Sequence, residues 1–306
     1  MSTLTIKTLF TATAVTLSTA FIATQPVQAF GFTPSSGFTT LTSDWHIVQD
    51  SFKDGTGGGI VGTNSDFEMF GMAAKVENGY AHFAFNGNLG LDKSGGIGQG
   101  DLFFNFTGKS FKEASAAEKL LGVHFAPNDA GNGSLANGLY ENVSAKSVTK
   151  WNSGHSGFQS YRNSVADKGG TVDFGDLTAA EAQEYLTAFE GGHEDGNHSI
   201  QNVIKTGDKV ANDGFAFLTE AELAGLDFGS NHVAKAQTFG FKFDASKLPT
   251  GQALLTLMHE CINDGMAMAV EFEEEPTVGV PEPTSILTLG LMGLGLAGGQ
   301  LRKKNS

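Results

Sequence analysis

The sequence predicts a mainly β chain: a single β-sandwich domain of jelly-roll type with a few short helices, between an N-terminal signal peptide and a C-terminal transmembrane helix. Three observations carry that expectation. Glycine supplies 41 of 306 residues, nearly double the usual ~7%, and clusters with Asn, Asp and Ser between short apolar runs, which is turn chemistry. Phenylalanine recurs at every second position in several of those runs, placing one greasy face on each strand. Helix signals are few and short.

Taken in chain order, the first element is an export signal. Lys7 precedes an uncharged, largely apolar run at residues 8–24, and Val27-Gln28-Ala29 offers the small residues that signal peptidase requires. Cleavage after Ala29 starts the mature chain at Phe30. Within the domain, expected at 30–272, Phe83 and Phe85 alternate with small or polar neighbours at residues 80–87. Leu102, Phe104 and Phe106 do the same at 101–107, as do Phe239, Phe241 and Phe243. Met266, Met268, Val270 and Phe272 oppose Ala267, Ala269, Glu271 and Glu273, which reads as apolar inward and acidic outward.

Thr178 with Glu181 and Thr219 with Glu222 are Thr-x-x-Glu capping boxes, so short helices are expected near 179–189 and 220–225. A third is expected at 115–121 from its Ala, Glu, Lys and Leu content. Residues 191–214 lack periodicity and read as a long surface loop. The Asn-x-Ser/Thr sites at Asn105, Asn132 and Asn142 read as polar loops. Residues 273–280, beginning Glu273-Glu274-Glu275, form a solvated acidic linker.

Charge and cysteine narrow the function. The whole chain has 19 basic and 33 acidic residues. Setting aside Lys7, Arg302, Lys303, Lys304 and Glu282, which lie in the two terminal segments, leaves 15 against 32. So acidic a body is a poor partner for nucleic acid, and it attracts divalent cations. Cys261 is the single cysteine, so no disulfide forms within the chain and stability must come from packing.

The C-terminal stretch VPEPTSILTLGLMGLGLAGGQLRKKNS combines three parts. Residues 285–301 are 17 uncharged residues, close to the roughly 20 a spanning helix needs. Five glycines among them weaken helix propensity and hydrophobicity together. Arg302, Lys303 and Lys304 stop transfer and stay cytoplasmic, which leaves the body outside. Pro281 and Pro283 hold an extended backbone just before the helix, the form a protease cleft accepts.

Pro281-Glu282-Pro283, the Gly/Leu-rich helix and the basic cluster together resemble the PEP-CTERM sorting signal, here at 281–306. The resemblance implies a transient membrane segment that an exosortase-type enzyme recognises and cuts near the Pro-Glu-Pro, leaving the body at the cell surface or in the extracellular matrix. Thr284-Ser285 and the lysine-rich end depart from the commonest form of that signal without changing its charge or shape. GDLFFNFTG at 100–108, GFKFDASKLPTG at 240–251 and HECINDGMAM at 259–268 resemble blocks of an exosortase-dependent surface protein family found mainly in cyanobacteria. That resemblance implies a location and no catalytic residues.

Candidate chemistry concentrates at residues 259–265. His259 and Cys261 would share a strand face as a nucleophile pair does, although no third, orienting group is apparent. Asn263-Asp264-Gly265 reads as a hairpin turn. Calcium needs six to eight oxygens, and Glu260, Asn263 and Asp264 with Asp101 would supply several if two strand ends meet. His193-Glu194-Asp195-Gly196-Asn197-His198 gathers metal-capable groups on a backbone too glycine-rich to fix them. Trp45, Trp151, Tyr140 and Tyr161 are the aromatics available for stacking on glycans. The reading is a non-catalytic structural, adhesive or glycan-contacting protein; the alternatives are a calcium-stabilised carbohydrate-binding module and an exported hydrolase that uses His259 or a pair of carboxylates.

Overall fold

The computed structural model describes residues 31–189, 192–193 and 200–273. The expected signal peptide at 1–29, most of the linker, the tail at 281–306 and most of the 193–198 cluster lie outside the described residues. The strands are β1 (Thr39–Thr40), β2 (His46–Gln49), β3 (Thr56–Gly57), β4 (Ile60–Val61), β5 (Met69–Glu77), β6 (Tyr80–Gly87), β7 (Leu102–Asn105), β8 (Leu120–His124) and β9 (Gly138–Lys146), then β10 (Ala188–Phe189), β11 (Gly192–His193), β12 (Val203–Lys209), β13 (Ala216–Phe217), β14 (Gln237–Asp244), β15 (Gly251–Met258) and β16 (Gly265–Phe272). Four helices, α1 (Phe111–Ala116), α2 (Phe158–Asp167), α3 (Ala179–Thr187) and α4 (Glu220–Leu223), interrupt them.

Two sheets hold most of the strands. One has seven, in the order β1-β16-β15-β7-β8-β9-β12; the other has five, β13-β14-β6-β5-β2. All pairings in them are antiparallel except β1 with β16. The sheets share a core in which Met72, Phe83, Phe85, Phe239, Phe241 and Phe243 face Leu102, Phe104, Val123, Leu255, Met268 and Val270. Alternation fixes this register, because a one-residue slip would turn every phenylalanine of β6 and β14 outward. The aromatic rings interlock: Phe83 lies edge-on to Phe104 at 5.2 Å and stacks on Phe243 at 5.6 Å. Hairpins and a β7-β8-β9 meander make the order, which differs from the eight strands and two Greek keys of a jelly roll.

At the end of β16 the acids point outward as expected, Glu271 half-buried and Glu273 exposed, but the alanines that precede them on that face do not meet water. Ala267 and Ala269 lie under a helical layer, with Phe103, Val143 and Leu254 of the same sheet. Phe111 of α1, Phe158, Tyr161 and Val165 of α2, and Tyr185 and Leu186 of α3 fill that second core. Alanines on β16 leave room for these aromatic side chains. The outer face of the five-stranded sheet is also covered, by Phe228 over Phe70, Ala73 and Ala84.

The capping boxes at Thr178 and Thr219 form as expected and open α3 and α4. The helix expected at 115–121 instead runs Phe111–Ala116: Ser110 and Glu113 form a third capping box that starts it a turn earlier, and it ends before Glu118. Glu118 then takes a positive φ of 55°, and Leu120 enters β8. α2 was not foreseen: its N-cap, Gly157, offers no side chain, and its apolar signal is only Phe158, Tyr161 and Val165. The loop expected at 191–214 contains β12, an edge strand buried only at Val203 and Ile204, which explains its weak periodicity. Asn105 and Asn142 are not in polar loops either: Asn142 is exposed within β9, and Asn105 is buried in β7, where its amide donates to the Lys109 carbonyl and the Tyr185 hydroxyl.

Truncating Phe83 removes a fully buried ring at the centre of the two-sheet core. Phe83→Ala is expected to lower unfolding free energy by about 3–5 kcal/mol, measured by chemical denaturation. Thr219→Ala, which removes one cap of an exposed helix, is expected to cost no more than about 1 kcal/mol.

Candidate functional site

At one end of the sandwich, four carboxylates converge from separate parts of the chain. Asp50 follows β2, Asp54 lies four residues on, Glu68 precedes β5 and Asp264 precedes β16. Each is buried, with 5%, 0%, 0% and 1% of its surface exposed. Asp50, Asp54 and Asp264 each offer a carboxylate oxygen, and these oxygens lie within 4.8 Å of one another.

Backbone donors fix the group. Gly175 N donates to Asp50 Oδ1 (3.2 Å), Asp173 N to Asp54 Oδ2 (2.8 Å) and Gly55 N to Glu68 Oε2 (2.7 Å). Asp264 is the hub: Oδ2 accepts from Met69 N (2.7 Å), and Oδ1 from Gly265 N (2.8 Å) and the Tyr161 hydroxyl (3.1 Å). The second oxygens of the other three, Asp50 Oδ2, Asp54 Oδ1 and Glu68 Oε1, are buried without a hydrogen-bond partner. Two glycines make the approach possible. A Cβ on Gly55 would lie 2.3 Å from Glu68 Cα, and Gly175, at φ +61°, would place one 2.3 Å from the Ala267 carbonyl oxygen.

Burial without a cation forces these groups toward their neutral forms. Desolvation, then the Asp264 charge, pushes Asp54 up to about 12 and Glu68 up to about 9. Desolvation alone outweighs three hydrogen bonds to raise Asp264 to about 7, and burial with Asp264 and Asp173 holds Asp50 well above the carboxylate range. Burial and the same carboxylates raise the Tyr161 hydroxyl. An all-oxygen donor set of this kind is suited to a hard cation, not to a thiophilic metal.

The four residues expected to bind calcium occupy two settings. Only Asp264 belongs to the cluster. Asp101 is occupied by protein donors: His124 Nδ1 (2.8 Å) and Asn128 Nδ2 (2.9 Å) on Oδ1, and Ile204 N (2.6 Å) on Oδ2. Glu260 accepts from Gly98 N (2.7 Å) and Asp129 N (2.6 Å) and pairs with Lys93 (3.1 Å). Asn263 contributes its carbonyl to Thr56 N (2.8 Å). Asp50, Asp54 and Glu68 form no motif in the sequence because they are scattered singly. Their common mark is position: Asp50 closes one apolar run, while Glu68 and Asp264 each open another.

His259 and Cys261 do not share a strand face, since β15 ends at Met258 and a six-residue reversal, 259–264, follows. Ile262, not Asn263 or Asp264, takes the left-handed conformation there, at φ 48°. Cys261 is buried beside Phe67 and Leu89, and its thiol is pushed up to about 12, chiefly by desolvation. His259 is buried, bonded through Nδ1 to Gln99 Oε1 (3.0 Å) and held down to about 4 by desolvation. A thiol so hard to ionise and an imidazole so weakly basic make a poor nucleophile and base. Of the four aromatics available for stacking, Tyr140 and Tyr161 are buried and Trp45 is half-buried with Lys75 5.0 Å from its ring centre. Trp151 stands 75% exposed beside Lys150.

A family model described as the PEP-CTERM protein-sorting motif matches residues 279–304. The motif marks an exported chain that an exosortase-type enzyme processes at the membrane and delivers to the surface or beyond. No curated protein and no solved structure matches the chain.

The cluster and His259 give opposite pH dependences. The carboxyls have folded pKa values above their unfolded ones, so they stabilise the fold fully below about pH 4, and that contribution is lost as pH rises toward the folded values. His259 is depressed, so its contribution is present above its unfolded value near 6.5 and is lost as pH falls toward about 4; alone it amounts to about 3 kcal/mol. With several carboxyls against one imidazole, the melting temperature in EDTA is expected to fall steadily from pH 5 to pH 9. A flat or rising profile would show that the cluster is not buried as described.

Proposed function

We propose that the chain is a non-catalytic surface or extracellular-matrix protein, a β-domain delivered by a removable tail. One observation carries the delivery: the sorting motif at residues 279–304. In this reading signal peptidase cuts after Ala29, and the apolar segment behind Pro281-Glu282-Pro283 holds the chain in the membrane, with Arg302, Lys303 and Lys304 on the cytoplasmic side, until an exosortase-type enzyme cuts it. The blocks at 100–108, 240–251 and 259–268 resemble a cyanobacterial exosortase-dependent surface family and point the same way. A structural or adhesive role is supported by a body buried on both faces of both sheets and by the neutral, enclosed state of His259 and Cys261.

Glycan contact is a second reading, favoured by Trp151. An exposed indole next to a lysine is the kind of amphipathic platform on which a sugar ring stacks.

Mass spectrometry of the protein exported by its own cells tests delivery. A mature N-terminus at Phe30 and a new C-terminus near Pro281 are expected; peptides running intact through Leu296 and Lys303 in the exported fraction would contradict a removable tail. On a glycan array, any sugar bound through the indole should lose about tenfold in affinity with Trp151→Ala, and unchanged binding would remove Trp151 from the reading.

A further inference from the structure

We propose that Asp50, Asp54, Glu68 and Asp264 form a structural calcium site that locks the β2–β5 edge of one sheet to β16 of the other and to the 171–177 segment beneath the helices. The inference stands on the body of the protein and does not depend on how the tail is processed.

Geometry comes first. Calcium–oxygen bonds are ~2.3–2.6 Å long, so ligands around one ion are separated by at most about twice that, near 5 Å. The 4.8 Å within which the Asp50, Asp54 and Asp264 oxygens lie fits this limit; Glu68 stands outside that triad and joins the proposed site through its buried, unpartnered Oε1. Magnesium, at ~2.0–2.1 Å, draws its ligands closer and keeps several of its waters, which suits a fully buried, carboxylate-rich site less well.

The unpartnered oxygens are the second, independent observation. Buried polar atoms are almost always satisfied, yet Asp50, Asp54 and Glu68 each spend one oxygen on a backbone N–H and leave the other without a partner. Asp264 Oδ2 accepts one hydrogen bond, from Met69, and keeps a lone pair. The ion pairs among the described residues lie elsewhere, on Glu77, Asp129, Glu260, Asp101, Asp213, Asp66 and Glu222. Buried carboxylates without a basic partner must carry protons or hold a cation, and the donors here are oxygen alone. Tyr161 and His155, whose rings lie 5.7 Å apart, are already committed: the Tyr161 hydroxyl donates to Asp264, and His155 Nε2 lies 3.1 Å from Thr56 Oγ1.

The site unites segments far apart in sequence, so a bound ion cross-links them. Binding to the folded state alone raises the melting temperature by mass action. For a domain of this size, calcium at about a hundred times its dissociation constant should add about 5–10 °C.

The test uses the exported protein purified from its own cells, stripped with EDTA, dialysed, and titrated with calcium chloride or magnesium chloride. Calorimetry is expected to give one calcium per chain, with the melting temperature rising by about 5–10 °C and a far smaller rise with magnesium. Asp54→Asn and Glu68→Gln keep shape and remove a charge. Each should leave the metal-free protein as stable as the stripped wild type or more so, while weakening calcium binding at least tenfold. That combination separates a ligand from a merely structural residue, whose replacement would destabilise both forms. The proposal is overturned if calcium changes neither heat nor melting temperature in the wild type, if magnesium acts equally, or if both variants keep the full calcium response.

Discussion

Four carboxylates brought together inside a protein repel one another and lose their hydration, and the end of the sandwich where the two sheets meet is arranged around that constraint. An uncompensated buried charge costs several kcal/mol, so the group must carry protons or hold a cation. Asp264 receives three hydrogen bonds, while Asp50, Asp54 and Glu68 each receive a backbone N–H. Those donors come from β5, from β16, from α2, from the 173–175 segment and from Gly55 just before β3. The local fold therefore satisfies both oxygens of Asp264 but only one oxygen each of Asp50, Asp54 and Glu68, and the other oxygens stay buried without a partner. Gly55 and Gly175 belong to the same arrangement, since a side chain at either position would collide with backbone.

The rest of the body is held by apolar packing on both faces of both sheets. The phenylalanines of β6 and β14 fill the space between the sheets, and the alanines of β16 admit the aromatic side chains of the helical layer. A single cysteine in an exported chain leaves this packing to act without disulfides. A cation bound at the junction would act as the missing staple, linking residues 50, 54, 68 and 264 across the two sheets as a disulfide links two positions in other secreted domains.

Strands whose one face meets the other sheet were legible in the sequence. The Phe83/Phe85 pair and the Phe239/Phe241/Phe243 triplet alternate because only one of their faces takes large side chains, whereas β7 turns Leu102 and Phe104 to one core and Phe103 to the other. Thr178 and Thr219 announced their helices because the capping box is a local interaction. What escaped has equally physical causes. The helical layer hides in the sequence because α2 has no capping side chain and the second face of β16 is built from alanines, which read as neutral. Edge strand β12 buries only Val203 and Ile204 and so shows no period. Of the cluster, Asp264 was visible beside a turn, but Asp50, Asp54 and Glu68 acquire meaning only when the chain brings the ends of β2, β5 and β15–β16 together. Asp101 and Glu260 looked like ligands and instead serve as acceptors that pin loops to the strands. Residues 279–304 differ from all of these, since a sorting signal is read by an enzyme as a linear pattern and needs no tertiary context.

The central claim is that the carboxylates at the sheet junction hold a dication. Long-wavelength anomalous diffraction from crystals grown in calcium tests it directly. A single anomalous peak is predicted among the side chains of Asp50, Asp54, Glu68 and Asp264, about 2.3–2.6 Å from their oxygens. Electron density that shows those carboxyls hydrogen-bonded to one another, with no anomalous signal between them, would contradict the account.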